Sequence, residues 1–363
     1  MKKLGFGAMR LPMNCDKVDI EHFIKMVDTF MDNGFNYFDT AKVYIDGQSE
    51  TALKEALTSR YPRECFILTD KLSKWCFSSE EEILPMFEAQ LEACGVEYFD
   101  YYLMHAQNTP TYEDYKRMHC YEIAQNLKAE GKIKHIGISF HDTAEVLDRI
   151  LTEQPCVEVV QLQFNYLDYE SDSVQSRKCY EVARKHGKDV LVMEPVKGGG
   201  LANIPDEAKE VFSALGTMSP ASYAIRFAAG FDGIMTVLSG MSNLDQLNDN
   251  ISYMKDFVPL DEKETEAVFR VAEIINSKYL IPCTACKYCV DGCPMEIKIP
   301  SLFRCLNNLK AFGNQGAFKR YEKITEDSGK ASACIECGAC EGSCPQNLNI
   351  RELLKEVAET FEK

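Results

Sequence analysis

Eight of the sixteen cysteines in this 363-residue chain fall in two segments that share one spacing. Residues 283–294 read CTACKYCVDGCP and residues 334–345 read CIECGACEGSCP, so each is C-x-x-C-x-x-C-x-x-x-C-P. Three thiolates spaced in this way bind three irons of a cubane, and the fourth, followed by proline, is directed to a second cubane. The expected ligation is therefore crossed: Cys283, Cys286, Cys289 and Cys344 on one 4Fe-4S cluster, and Cys334, Cys337, Cys340 and Cys293 on the other. Zinc competes poorly for this pattern, because its sites favour two well-separated cysteine pairs or a mixture with histidine.

A second set of reactive side chains is scattered through the first 165 residues, each at the end of an apolar run. NYFD delivers Asp39, ILTDK delivers Lys71, YYLMH delivers His105, IGIS delivers Ser139, and VVQLQFN delivers Gln161, Gln163 and Asn165. Tyr44 lies five residues beyond Asp39. Singly, such residues cap helices, sit in solvent or complete a core. Together they form an acid–base set. A phenol with a pKa of about 10 is a poor acid unless an ammonium stabilises its phenolate, and a carboxylate must then hold that ammonium. Asp39, Lys71 and Tyr44 supply these parts, and His105 can orient a carbonyl oxygen at the phenol.

The elements that must bring this set together follow from periodicity. Up to about residue 255, eight short runs rich in Val, Ile, Phe and Tyr alternate with amphipathic stretches. The runs are LGFGAM, FNYFDT, CFILTDK, FDYYLMH, KHIGISF, VEVVQLQFN, DVLVMEP and GIMTVLSG. Asp19 to Asn33, Ser79 to Cys94 and Tyr112 to Glu130 read as helices, stopped at Gly34, Gly95 and Gly131. Eight strands alternating with helices predict an α/β fold, a closed (β/α)8 TIM barrel over residues 1–258, with a doubly wound open sheet as the competitor. In such a barrel, chemistry gathers at the C-terminal strand ends, where the second set lies. Residues 259–278 read as one linking helix and residues 279–363 as a smaller, mainly helical domain that carries the cysteines.

LGFGAMRLP, FDTAKVY, DK after the third run, LMH after the fourth and GIS after the fifth resemble the aldo-keto reductases, over about residues 1–255. The resemblance implies an oxidoreductase that reduces a carbonyl or oxidises an alcohol with NAD(H) or NADP(H). It carries the family's catalytic tetrad onto Asp39, Tyr44, Lys71 and His105, and its nicotinamide-carboxamide contacts onto Ser139 and Gln161. Met193 stands where the family usually stacks a tyrosine on the nicotinamide. The stretch SGMSNLDQLNDN, residues 239–250, lacks the Lys and Arg with which NADPH-preferring members hold the 2′-phosphate. Gly240, Ser242, Asn243, Gln246 and Asn250 remain as the expected dinucleotide cradle at a helix N-terminus. Lys197 and Gly198 offer a second phosphate-approaching loop, and NADH is expected to bind at least as well as NADPH. The tail resembles the dicluster ferredoxins of the α-helical variety, given the long spacer from Met295 to Ala333. Cys305 in that spacer reads as helix packing, and the seven other cysteines outside the motifs as small buried hydrophobes.

A formal net charge of -16 leaves no basic surplus for nucleic acid or an anionic membrane. No apolar run reaches signal-peptide or membrane-spanning length, so a cytoplasmic chain is expected, in which cysteines ligate metal rather than pair. A nicotinamide moves a hydride whereas a cubane moves one electron, and three arrangements reconcile them. The clusters are an appendage to ordinary carbonyl reduction; or a flavin at the barrel mouth, for which Met193 leaves room, divides electron pairs; or the barrel is a docking module of an electron carrier. The expected partners are a small carbonyl or alcohol substrate and a ferredoxin-like or flavodoxin-like protein. Trp75, Phe140 and His141 are candidates for the pocket wall.

Overall fold

The computed structural model describes all residues except 1, 172–173, 278–280, 313–314 and 363. Eight parallel strands close into a barrel: β1 (Leu4–Gly7), β2 (Tyr37–Asp39), β3 (Ile67–Leu72), β4 (Phe99–Gln107), β5 (Ile133–Phe140), β6 (Val159–Gln163), β7 (Asp189–Met193) and β8 (Ile234–Ser239). Each pairs with its neighbours in sequence, and β8 pairs with β1, so the sheet has no open edge. All eight apolar runs contain a strand. Their near-continuous hydrophobic character is what parallel strands covered on both faces require.

A closed barrel must fill its own interior. Tyr37, Leu103, Val159 and Leu238, from β2, β4, β6 and β8, pack together with Leu191 of β7. This is the layer from alternate strands typical of such barrels. Intervening strands make room for it. Gly137 of β5 is in register with Leu103 on one side and Val159 on the other. A Cβ added there would lie 2.5 Å from Leu103 and 2.6 Å from Val159.

This layer decides the one above it, because side chains return to the same face of a strand every second residue. Asp39 follows Tyr37, His105 follows Leu103, Ser139 follows Gly137, Gln161 follows Val159 and Met193 follows Leu191. Lys71, near the end of β3, joins them. The candidate residues thus stand one pleat above the interior layer, toward the C-terminal strand ends.

Helix α1 (Ile20–Asp32) is capped by Asp19, whose carboxylate accepts from the His22 N–H, and gives way to Gly34 at φ +77°. Helix α2 (Ile83–Cys94) follows a single 3-10 turn and ends at Gly95, φ +65°. The stretch expected to form one helix from Tyr112 to Glu130 forms two, Thr109–Arg117 and Cys120–Ala129. His119 between them adopts φ +48°, which interrupts the hydrogen-bond ladder without a glycine or proline to announce it. After β8, α3 (Leu244–Met254) begins at Asn243, whose side chain accepts from the Gln246 N–H.

The chain divides into two compact units, residues 1–195 with 225–260, and residues 196–224 with 261–363. The first holds all eight strands. The second is helical and includes the segment after β7, residues 196–224, which the boundary drawn at residue 258 from sequence leaves with the barrel. Within it, α4 (Glu262–Ser277) packs on the helix Asp206–Ser213. Its core joins Leu302, Phe303, Cys305 and Leu306 to Tyr321, Leu354 and Val357. Outside the two motifs, Cys94, Cys120, Cys179 and Cys305 are buried, but Cys15 and Cys65 are exposed. The first lies in the tight turn of the hairpin Met13–Asn14/Lys17–Val18 and the second in the 3-10 turn Arg63–Cys65, where neither side chain has a core to enter.

Candidate active site

Asp39, Tyr44, Lys71 and His105 converge. The Lys71 ammonium, fully buried, donates to Asp39 Oδ1 at 2.6 Å and to the Thr40 carbonyl at 2.7 Å. It also lies 4.7 Å from the centroid of the Tyr44 ring. The Tyr44 and His105 rings meet edge to face, with centroids 6.0 Å apart. His105 Nδ1 is 2.7 Å from the Ser73 hydroxyl, and the half-exposed Trp75 stands edge-on to the imidazole at 5.4 Å. Gln161 Nε2 donates to Asp39 Oδ2 at 3.0 Å, so both carboxylate oxygens are engaged. Ser139 Oγ accepts from the Ala106 N–H at 2.7 Å, just beyond His105.

Burial governs the proton affinities. It pushes the Asp39 carboxyl above its ordinary value, against the pull of Lys71 and Gln161. Burial, followed by the charges of Asp39, Asp70 and Glu194, holds the Tyr44 phenol well above the usual tyrosine range. His105 goes the other way: burial, then Lys71 and His141, keep it well below the ordinary imidazole value. At neutral pH the site therefore presents a protonated phenol and a neutral imidazole.

Of the residues expected to hold a dinucleotide, Ser139, Gln161 and Met193 lie at the same strand ends. The cradle after β8 is a connected turn. Ser242 N–H donates to Gln246 Oε1 at 2.8 Å, Asn243 caps α3, and the Ser242 hydroxyl donates to the Arg10 carbonyl at 2.9 Å. The Arg10 side chain lies over Gly240, where an added Cβ would be 3.3 Å from it. Asn250 sits deeper and is buried, donating to Ser239 Oγ at 2.6 Å and accepting from the Tyr253 hydroxyl. Gln163 and Asn165 both donate to Asp168, at 2.7 and 2.8 Å, and shape the turn after β6. Lys197 and Gly198 belong to the helical unit. Lys197 is buried there, with Nζ 3.2 Å from Gln346 Oε1.

In that unit, Cys283, Cys286, Cys289 and Cys344 line one pocket, with Thr284, Ile299, Phe303, Gln346 and Ile350 among its other walls. Three cysteines of the first motif thus meet the fourth of the second. Four thiols facing one mainly apolar pocket suit a 4Fe-4S cluster, since thiolates are its ligands. In the other set, Cys340 is buried, Cys293 and Cys334 pack against the same core, and Cys337 is exposed.

Residues 3–273 match the pattern of the Aldo/keto reductase family, three quarters of the chain. The chain belongs to that family. Residues 282–348 match the 4Fe-4S dicluster domain, so this aldo/keto reductase barrel carries a C-terminal iron–sulfur module. Among similar proteins, an uncharacterized oxidoreductase of Bacillus subtilis, YqkF, is 23% identical over 282 residues, which cover 69% of this chain and 86% of that one. The NADH-specific methylglyoxal reductase of Escherichia coli is 26% identical over 193 residues, 48% of this chain and 57% of the relative. The solved aldo-keto reductase AKR11C1 from Bacillus halodurans, in its holo form, superposes with a TM-score of 0.62 at 24% identity, covering 74% of this chain and 91% of that one. An aldo-keto reductase from Klebsiella pneumoniae in complex with NADPH gives 0.58 at 19%, covering 74% and 90%.

Several residues around this aldo/keto reductase site escape a reading by sequence. Ser73, two residues past Lys71, orients the imidazole, yet a serine after a strand carries no signal of its own. Behind Lys71, Asp70 accepts from the Lys71 N–H at 2.7 Å, and Gln90 bridges Glu50 at 3.2 Å and the Lys71 carbonyl at 3.1 Å. Glu50 and Asp70 are both buried. Burial, then the charge of Glu50, push the Asp70 carboxyl well up, and burial raises Glu50 too. Two such carboxyls hold a proton between them, on the face of β3 opposite the Lys71 side chain. Arg10, too, gave no signal in the sequence, because its approach to Gly240 depends on β1 and β8 being neighbours.

Proposed function

We propose that the barrel reduces a small carbonyl compound with NADH or NADPH through Tyr44, Lys71, Asp39 and His105. The observation that carries this reading is the buried Lys71 ammonium, 2.6 Å from Asp39 and 4.7 Å from the centre of the Tyr44 ring. A bound dihydronicotinamide supplies the hydride to the carbonyl carbon. As negative charge develops on the carbonyl oxygen, Tyr44 gives it the phenolic proton, and an alcohol results. Burial keeps that proton on Tyr44 until a strongly basic oxygen is present. Lys71 then compensates the phenolate, and Asp39 holds Lys71 in place. With His105 Nδ1 accepting from Ser73, Nε2 carries the ring proton and offers a hydrogen bond that orients the substrate oxygen, keeping its proton throughout.

For the dinucleotide we infer that Ser139 and Gln161 contact the carboxamide and that Met193 covers the ring. Ser139 Oγ accepts from Ala106, which leaves its hydroxyl proton to donate, and Gln161 donates to Asp39, which leaves Oε1 to accept. Gly240, Ser242, Asn243 and Gln246 at the start of α3 take the phosphates, with Arg10 as their counter-charge and Asn250 bracing the turn from below. The first turn of α3 carries Asp245, so NADH binds at least as well as NADPH. Dissociation constants strongly favouring NADPH would overturn that preference.

The deciding experiment is Tyr44→Phe. Turnover of an aldehyde falls by about 10²- to 10⁴-fold, the share of a general acid, while cluster absorbance is unchanged. Undiminished turnover refutes the tetrad. Iron–sulfur clusters exchange single electrons. We infer that those of this chain relay them to a ferredoxin-like or flavodoxin-like partner, with the exposed Cys337 marking the end a partner reaches. The visible spectrum of anaerobically purified protein tests this together with cofactor extraction. Clusters bleached by the partner's reduced form support the relay, and flavin bands would favour a flavin dividing electron pairs at the barrel mouth.

A further inference from the structure

The turn Lys197–Gly199 packs behind two residues that line the cysteine cavity, Thr284 and Gln346. Gly198 adopts φ +61°, and a Cβ added there would lie 2.4 Å from the Thr284 carbonyl oxygen. No side chain fits between this turn and the Cys283–Cys286 segment. From the neighbouring position, Lys197 at φ +47° sends its ammonium to Gln346 Oε1, 3.2 Å away, and is 6% exposed. Thr284 lies between Cys283 and Cys286, Gln346 lies two residues past Cys344, and both line the cavity. The turn therefore touches the two chain segments that bring the crossed ligands together, one through backbone contact and the other through a buried cation.

We propose that Lys197 is a positioning residue that tunes the cluster held by Cys283, Cys286, Cys289 and Cys344, raising its reduction potential relative to the second cluster. A cluster bound by four thiolates is anionic, and reduction adds one further negative charge. A buried ammonium one side chain away stabilises the reduced state more than the oxidised one, because the attraction grows with the charge and is little screened in a dry interior. Net charge, hydrogen bonding and solvent exposure are the levers that set such potentials. Lys197 supplies the first, and through Gln346 it orders the segment that carries Cys344. The second cluster has an exposed ligand in Cys337, so water there supplies charge stabilisation that the first cluster, set in a more buried cavity, draws from Lys197.

The test is a redox titration of anaerobically purified holoprotein, followed by electron paramagnetic resonance, on wild type, Lys197→Gln, Lys197→Arg and Gly198→Ala. Lys197→Gln should lower one midpoint so that the ratio of reduced to oxidised cluster at a fixed potential falls about tenfold, the equivalent of about 59 mV for a one-electron couple. The other midpoint stays in place. Lys197→Arg keeps the charge and should keep the wild-type value, whereas Gly198→Ala pushes the turn off Thr284 and should lower the same midpoint as Lys197→Gln. Unchanged midpoints in Lys197→Gln with full iron content would overturn the proposal. So would an equal shift of both clusters, or a Lys197→Arg shift as large as that of the glutamine variant. The inference rests on the crossed ligand set, but the two fail differently. A wrong ligand set leaves cluster signals that cysteine substitution removes in other pairs, and a wrong role for Lys197 leaves the signals and potentials as they were.

Discussion

The barrel rim and the cysteine cavity both gather residues that are distant in the chain, but they do so in different ways. At the rim, Asp39, Lys71, His105, Ser139 and Gln161 come from five successive strands, and no two of them are close in sequence. Their meeting depends on closure of the sheet and on the two-residue pleat that lifts each one above the interior layer. In the cavity, Cys283, Cys286 and Cys289 come from seven consecutive residues and only Cys344 arrives from afar. The rim is thus a product of the whole barrel, whereas most of the cavity is local. Damage to the rim should therefore appear as lost stability or turnover, and damage to the cavity as lost iron, with little exchange between the two readouts.

The largest effect tests whether the cavity is crossed. In a protein holding two clusters, the double variant Cys283→Ala/Cys344→Ala should lose about half its iron and sulfide, because both ligands serve one cluster. Cys283→Ala/Cys334→Ala should lose nearly all of it. Iron analysis showing the reverse order would put each motif on its own cluster and end the contrast drawn above.

Next in size is the buried pair at the rim. Asp39→Asn leaves the Lys71 ammonium, wholly inside the protein, without its carboxylate, and breaking such a pair costs about 3–5 kcal/mol. Denaturant unfolding followed by circular dichroism should show this loss, with iron content unchanged. A loss below about 1 kcal/mol would mean that the pair behaves as if exposed to solvent.

The smallest effect is a slope. His105 is held neutral, with its folded-state pKa below the ordinary value of 6.5. Its contribution to stability is complete above the unfolded pKa and is lost as pH falls through and below it, since the unfolded chain then takes up a proton that the native site refuses. Below about pH 6.5 this one group should remove about 1.4 kcal/mol per pH unit. His105→Gln should flatten the stability curve in that window by one proton's share. An unchanged slope would place the acid sensitivity elsewhere.

Much of this was legible in the residues. The eight strands were marked by their apolar runs, since parallel strands are buried on both faces, and the placement of Asp39, Lys71 and His105 by their position toward the strand ends. The break at His119 was not legible, because a left-handed histidine leaves no trace in composition. Nor were Ser73, Arg10 or the buried Glu50/Asp70 pair, whose roles exist only through neighbours from other elements. The turn at Lys197 shows the difference most clearly. Lys197 and Gly198 were expected in a loop that approaches a phosphate; that they pack on Gln346 and on the Thr284 backbone within the helical unit was not legible.

What the amino-acid order determined alone was the chemistry available: two cubane-binding spacings and a carboxylate, ammonium, phenol and imidazole at strand ends. It could do so because ligand spacing and strand period are short-range properties of the chain. Tertiary structure decided the electrostatics. Which groups lose water, which carboxyls share a proton and which cation is buried behind the cysteine cavity are set by packing, and packing is fixed only when distant segments meet.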